Sequence, residues 1–387
     1  MKKKIAIIGS TGSIGKTLIK IIEKNKKNFE VKLLAANKNY KSLFNQAKKF
    51  NVKNIIITDQ KSYNKSKKKY KNLKIKIFNN FKDLDKIFRK KIDYTMSAIS
   101  GIQGLEPTVK MIKFTNKIAI ANKESIICGW KIINKELKKN NTEFIPVDSE
   151  HFSLWFGIKN LNPTHVEKFI LTASGGPLYR TPLSNFKKIK ISQALNHPNW
   201  KMGKKISIDS ATMINKIYEV IEAKNIFGVS YKKIKILIHP KSYVHAILKF
   251  KNGLIKIIAH DTTMEIPIFN SLYSETSKKI FSKKIDLNVL NNLSLNIAST
   301  KRYPMINLLK LLPNKHSLYE TVIVSANDAL VELFLNDKIK FTDICKKLFK
   351  IIKSKEFLKY KKIYPNNIKN ILKLNDYVRF KINKKSV

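Results

Sequence analysis

Short apolar runs recur through the first 148 positions, at 5–8, 31–36, 54–57, 75–78, 94–99, 117–121 and 144–147, and lysine-rich stretches of helical periodicity separate them. Runs of this length read as strands, and strands alternating with amphipathic helices predict an α/β fold, a doubly wound parallel sheet over 1–148. The chain opens as strand, turn and helix: after Ile5–Ile8 comes Gly9–Gly15, and Leu18, Ile19, Ile21 and Ile22 then return at helical spacing. Beyond 148 the texture changes. Gly175, Gly176, Pro177, Pro182, Pro198 and Gly203 punctuate an irregular segment, followed by a helical pattern at about 211–226. Strands are expected near 234–238, 244–250 and 254–259, with Asn252-Gly253 as the hairpin turn of the last two. From about 300, Leu/Ile/Lys patterns at 305–311, 319–336, 341–353 and 366–373 predict a C-terminal helical domain.

A chain of 387 residues suggests two or three domains, and 43% hydrophobic residues suffice for sizeable cores. Charge changes the picture more. A net charge of +50 raises the possibility of a nucleic-acid binder. Only Arg89, Arg180, Arg302 and Arg379 occur, however, although arginine is the favoured reader of phosphates and guanine edges. Lysine is instead spread along the chain beside heavy Asn and Ile usage, the bias that A+T-rich codons impose, so no specific nucleic acid is expected. Cys128 and Cys345 are too isolated for a disulfide framework or a thiolate zinc site. No apolar run approaches a membrane span, and the run after Met1-Lys-Lys-Lys stops at Gly9, too early for a signal peptide. A cytoplasmic protein is expected.

Gly9-Ser-Thr-Gly12-Ser-Ile-Gly15 lies where backbone amides at a helix start can hold a phosphate, although its G-x-x-G-x-x-G spacing departs from the dinucleotide G-x-G-x-x-G. A rival reading is a nucleotide-triphosphate P-loop, missed by one residue because Ser10 stands at its first glycine, with Asp148 imitating a Walker B aspartate. Strand two discriminates among dinucleotides. An NAD site places an acid at its end, whereas this strand runs into Asn37-Lys38-Asn39, which favours the 2′-phosphate of NADPH unless Lys38 is one more surface lysine.

Asp148 and Glu150, if extended, point to one side at period two, and two converging carboxylates call for a cation. Oxygen ligands suggest Mg²⁺ or Mn²⁺; a solvated surface pair is the plainer alternative. In Asp209-Ser210-Ala-Thr-Met-Ile-Asn215-Lys216-Ile-Tyr-Glu219, Asp209 or Ser210 can cap a helix whose Asn215, Lys216 and Glu219 share a face, either as a site or as a surface ion pair. Thr172–Pro177 is a turn with free amides, and His197-Pro-Asn-Trp200-Lys-Met-Gly203 reads as a loop able to close as a lid. Glu222, one turn beyond Glu219, is read as a bystander.

Together these segments, with Ala121-Asn122-Lys123-Glu124-Ser125 and Val147–His151, closely resemble the 1-deoxy-D-xylulose-5-phosphate reductoisomerase family, over nearly the whole chain and thinly after about 300. The resemblance implies an NADPH- and divalent-metal-dependent enzyme that rearranges and reduces 1-deoxy-D-xylulose 5-phosphate to 2-C-methyl-D-erythritol 4-phosphate in isoprenoid precursor biosynthesis. It implies NADPH contacts at Thr11, Gly12, Ser13, Ile14, Asn37, Lys38, Asn39, Asn122, Glu124 and Gly203, and metal ligation by Asp148, Glu150 and Glu219. Substrate contacts are implied for Lys123, Ser149, Glu150, Ser174, His197, Ser210, Asn215, Lys216 and Glu219, with Lys123, Asp148, Glu150 and Glu219 at the chemistry. The implied organisation is an NADPH-binding domain over 1–148, an α+β catalytic domain over 149–273, a connecting segment over 274–299 and a helical domain over 300–387, assembled as a homodimer. Two positions depart from the family pattern: Asn37 and Ile217 each stand where glycine is usual.

Overall fold

The computed structural model describes residues 1–273 and 278–384. Contacts divide the chain into two units. The first holds Met1–Ser125, Ile132–Asp148 and Met264–Ile280; the second holds Ile126–Lys131, Ser149–Thr263 and the chain from Phe281 onward.

In the first unit the apolar runs form parallel strands: β1 (Lys3–Ile8), β2 (Phe29–Ala36), β3 (Asn54–Ile57), β4 (Lys76–Phe78), β5 (Ile92–Ser97), β6 (Thr115–Ile120) and β7 (Glu143–Pro146). Their order among the described residues is β4-β3-β2-β1-β5-β6-β7, the doubly wound arrangement expected. Ile5, Ala6, Ile7 and Ile8 are all buried, as a central strand covered on both faces requires. The order reverses between β1 and β5, and in open α/β sheets that crevice at the strands' carboxyl ends takes ligands. The glycine loop leaves β1 there. The helix Glu265–Leu272 also belongs to this unit, where Lys3 Nζ donates to the Leu272 carbonyl at 2.7 Å and the Tyr94 and Ser271 hydroxyls lie 2.8 Å apart.

The second unit is built on a mixed sheet of β8 (Val166–Ala173), β9 (Ile234–Ile238), β10 (Val244–Phe250), β11 (Ile255–Ala259) and β12 (Asn296–Ile297), in the order β11-β10-β8-β9-β12. The β10–β11 hairpin turns through Gly253 at φ +88°, a left-handed position suited to glycine. β8, the central strand, was not expected from the sequence. The C-terminal patterns form a 3₁₀ stretch, Pro304–Leu311, and the helices Tyr319–Leu335, Phe341–Ile352 and Ile368–Lys384.

Two local expectations are corrected. The pattern near 211–226 is not one helix capped by Asp209 or Ser210. It is the end of Lys204–Thr212 followed by Ile214–Phe227, split at Met213 with φ +69°. Met213 is buried in a cluster with Ala173, Ile238 and Tyr303, and this packing holds the left-handed turn. Nor are Asp148–Glu150 extended: β7 stops at Pro146 and the helix Ser149–Gly157 begins, which places Glu150 in its first turn.

Candidate active site

The first unit offers a prepared loop. A side chain on Gly9 would meet the Ala98 carbonyl oxygen at 2.4 Å, and one on Gly15 would meet the Gly9 oxygen at 2.4 Å. These two glycines let the loop, strand and helix pack together. Gly12 is different: a Cβ there would find its nearest neighbour at 3.4 Å, so the fold itself leaves room. Gly12 precedes the helix Ser13–Glu23, whose N-terminus has no side-chain cap and no acid in its first turn. Thr11, Gly12, Ser13 and Ile14 remain at least partly accessible.

At the end of β2, Asn37, Lys38 and Asn39 are exposed. Asn37 Nδ2 donates to Thr58 Oγ1 at 2.9 Å, and Asn39 caps the helix Tyr40–Lys49 through the Ser42 amide at 3.2 Å. Sequence reasoning overlooked Asp59, beyond β3. Hydrogen bonds from Ser62, helped by the charge of Lys38, hold its carboxyl below the usual range. Asn122 accepts from the Ser125 amide at 2.6 Å, and its Nδ2 donates to the Ile99 and Gly101 carbonyls, so it fastens the β6 end to the loop after β5. One residue on, Lys123 Nζ lies 3.0 Å from Asp148 Oδ2; Glu124 beside it is buried.

In the second unit, polar groups from two helices converge. Lys216 Nζ is 2.8 Å from Glu150 Oε1 and also contacts Glu219 Oε2. Ser149 Oγ donates to Glu150 Oε2 at 2.5 Å, and Asn215 Nδ2 donates to Glu219 Oε1 at 2.5 Å. Burial alone would push the Lys216 ammonium toward neutrality, but the two carboxylates outweigh it and raise its pKa. Lys216 therefore stays a cation seated between carboxylates. His151 Nε2 lies 2.8 Å from the Glu219 carbonyl and must donate to it, supporting the turn that carries Glu219. Glu222, one turn beyond Glu219, is buried, with His151 Nδ1 3.7 Å away.

A second cluster adjoins Ser174. Its turn uses Gly175 and Gly176 at φ +85° and +72°, and a side chain on Gly176 would meet the Ser210 carbonyl oxygen at 2.7 Å, so only glycine admits Ser210 so closely. Ser174 Oγ accepts from the Gly176 amide and lies 3.0 Å from His197 Nε2. His197 Nδ1 accepts from the Asn199 and Trp200 amides at 3.2 and 3.1 Å, which places the ring proton on Nε2. Burial pushes this imidazole down to about 4, so it is neutral at physiological pH. Gly203 is exposed and starts the helix Lys204–Thr212. Asp209, expected as a cap, is buried, 3.1 Å from Lys205 Nζ and hydrogen-bonded by Asn327 Nδ2 at 2.7 Å; a partner 118 residues away leaves no local signal in sequence.

The donor set fits a divalent ion. Glu150 and Glu219 present oxygens within 4.8 Å of each other, hard ligands of the kind Mg²⁺ and Mn²⁺ take, and the structure satisfies them with another cation, the Lys216 ammonium. No helix among the described residues is long and apolar enough to cross a membrane.

Comparison with known proteins gives one answer. Residues 5–129 match the family described as 1-deoxy-D-xylulose 5-phosphate reductoisomerase, and residues 144–227 and 261–381 match its two C-terminal domain families. The chain is 58% identical over 387 residues to the 1-deoxy-D-xylulose 5-phosphate reductoisomerase of Pelagibacter ubique, covering all of both chains. It is 38% identical over 345 residues to that of Wolbachia pipientis wMel, covering 88% of each. Among solved structures, the reductoisomerase of Zymomonas mobilis in complex with NADPH superposes with a TM-score of 0.88 at 29% identity, over 100% of this chain and 99% of that one. A DOX-P reductoisomerase in complex with NADPH, fosmidomycin and magnesium gives 0.90 at 28% identity, over 99% and 98%.

Proposed function

This chain belongs to the 1-deoxy-D-xylulose 5-phosphate reductoisomerase family, and from that premise we propose that the groups around Lys216 are where it converts 1-deoxy-D-xylulose 5-phosphate to 2-C-methyl-D-erythritol 4-phosphate. It is an oxidoreductase that uses NADPH and a divalent metal. The P-loop and nucleic-acid readings are set aside. The observation that carries the assignment is the Lys216 ammonium held between Glu150 and Glu219, a cation and two carboxylates brought together with little exposure to water.

Asp148, Glu150 and Glu219 would hold the metal, Asp148 being two residues from Glu150 in the chain. When bound, the ion supplies Lewis acidity and NADPH supplies hydride. The protein's own groups bind and orient. Lys123, already paired with a carboxylate, offers charge to an oxygen turning anionic. Lys216 and Asn215 set the two Glu219 oxygens, and Ser149 sets Glu150. His197 presents a neutral N–H beside Ser174, and with Ser210 these are donors suited to a phosphate. For NADPH we assign Thr11, Gly12, Ser13 and Ile14 to the pyrophosphate side, Asn37, Lys38 and Asn39 to the adenosine side, and Asn122, Glu124 and Gly203 to the remainder. Closure of His197–Gly203 would exclude water from the reacting sugar.

Incubation with deoxyxylulose phosphate, NADPH and Mn²⁺ should consume NADPH at the nicotinamide absorbance band; no oxidation would overturn the assignment. The division at 148, 273 and 299 is a further proposal, with the helix Glu265–Leu272 counted by its contacts in the first unit, and so are a cytoplasmic location and a homodimer. For the dimer, β11 is a sheet edge on which Ile255 and Ile257 are 59% and 49% exposed, a template for a second copy. Sedimentation should give twice the chain mass, and Ile257→Lys should shift it toward the monomer.

A further inference from the structure

Two histidines that no motif singled out lie behind the His197–Gly203 loop. His245, in β10, is buried, and His260 follows β11. Their rings stack with centroids 3.7 Å apart and planes 15° from parallel. The Trp200 ring meets His245 edge-on at 6.2 Å and 72°. We propose that His260 is a positioning residue for the reaction, fixing the His245 ring as the seat on which Trp200 and its loop rest.

The hydrogen bonds fix one N–H on each ring. His260 Nδ1 lies 2.8 Å from the Asp261 carbonyl and donates to it; His245 Nε2 lies 3.3 Å from the His260 carbonyl and donates in turn. The His260 backbone amide is tied to the Tyr243 carbonyl at 3.0 Å. Neither ring can turn without losing a bond. Burial holds the His260 imidazole below its usual range, which favours the uncharged form of that ring in the stack. The loop is fastened at the neighbouring residue, where Asn199 Nδ2 donates to the Pro240 carbonyl at 2.6 Å and to Ser242 Oγ at 2.9 Å. The Trp200 amide donates to His197 Nδ1, whose Nε2 faces Ser174. A displacement of Trp200 therefore turns the imidazole assigned to the substrate. The proposal rests on that assignment of His197 and Ser174.

The test compares His260→Ala with His260→Phe, which keeps a stacking ring but no nitrogen, after circular dichroism has shown both folded. His260→Ala should raise the sugar-phosphate KM by roughly 5–30-fold while kcat and the NADPH KM change by less than about threefold, the pattern of lost uniform binding. Trp200 emission, isolated by subtracting a Trp200→Phe control, should move to the red, and His260→Phe should recover most of both signals. Unchanged KM and emission in His260→Ala, or a His260→Phe variant as impaired as the alanine, would overturn the proposal. The emission needs no turnover. A red shift in a protein that consumes no NADPH would uphold the seat and sink the reaction assignment instead.

Discussion

Lys216 shows how residue chemistry precedes function here. An ammonium buried between two carboxylates keeps its charge because their attraction outweighs its burial. A divalent ion at the same oxygens would bring twice the ammonium's charge. Glu150→Gln and Glu219→Gln should each lower turnover about 10²–10⁴-fold, the size of a lost Lewis-acid contribution, while NADPH affinity changes only a few-fold. Steady-state kinetics with Mn²⁺ and a nucleotide titration check both halves. The sequence disclosed these residue types and their order but not their geometry. Lys216 and Glu219 share a helical face, as expected, yet Glu150 joins them through the helix Ser149–Gly157, not through an extended strand. Lys38 was legible only by elimination, from the missing acid after β2. Its exposure beside Asp59 leaves the charge available to a 2′-phosphate. Lys38→Ala should raise the NADPH KM by roughly 5–100-fold and leave NADH nearly unaffected, since a charged hydrogen bond contributes about 1–3 kcal/mol. Equal losses for both nucleotides would refute the assignment.

At the scale of elements, the glycine loop separates folding from binding. Gly15→Ala forces a Cβ to 2.4 Å from the Gly9 oxygen and should destabilise the chain by about 1–3 kcal/mol in urea titrations. Gly12→Ala meets only an ordinary contact and should unfold like the parent, yet bind NADPH at least about tenfold more weakly, because backbone approach to a pyrophosphate needs that surface bare. The strands of the first sheet were readable because parallel strands buried on both faces are continuous apolar runs. β8 was not, since Val166-Glu-Lys-Phe-Ile-Leu-Thr-Ala mixes polar residues into its first half and runs straight into the Gly175-Gly176 turn. The break at Met213 was equally hidden: contacts from Ala173, Ile238 and Tyr303, not a local turn signal, hold it left-handed.

For the whole molecule, the net charge of +50 comes from lysines that, Lys123 and Lys216 apart, are not buried among the described residues. Retention on nucleic acid should be weak and sequence-independent, and should collapse between about 50 and 200 mM salt as counterion release predicts. Buried charge matters more to stability. Glu320 accepts from the Ser317 amide and hydroxyl, and burial still raises its carboxyl to about 7. In the unfolded chain it ionises near 4.5, so between about 4.5 and 7 the folded state holds the extra proton and this contribution to stability falls as pH rises. Thermal unfolding of Glu320→Gln should therefore decline less from pH 5 to pH 8 than that of the parent. The proposed chemistry requires Glu150 and Glu219 as cation ligands. Calorimetric titration of Mn²⁺ tests that directly: the parent should bind one ion per chain and Glu219→Gln should bind it at least about tenfold more weakly, whereas equal affinity in the two proteins would contradict it.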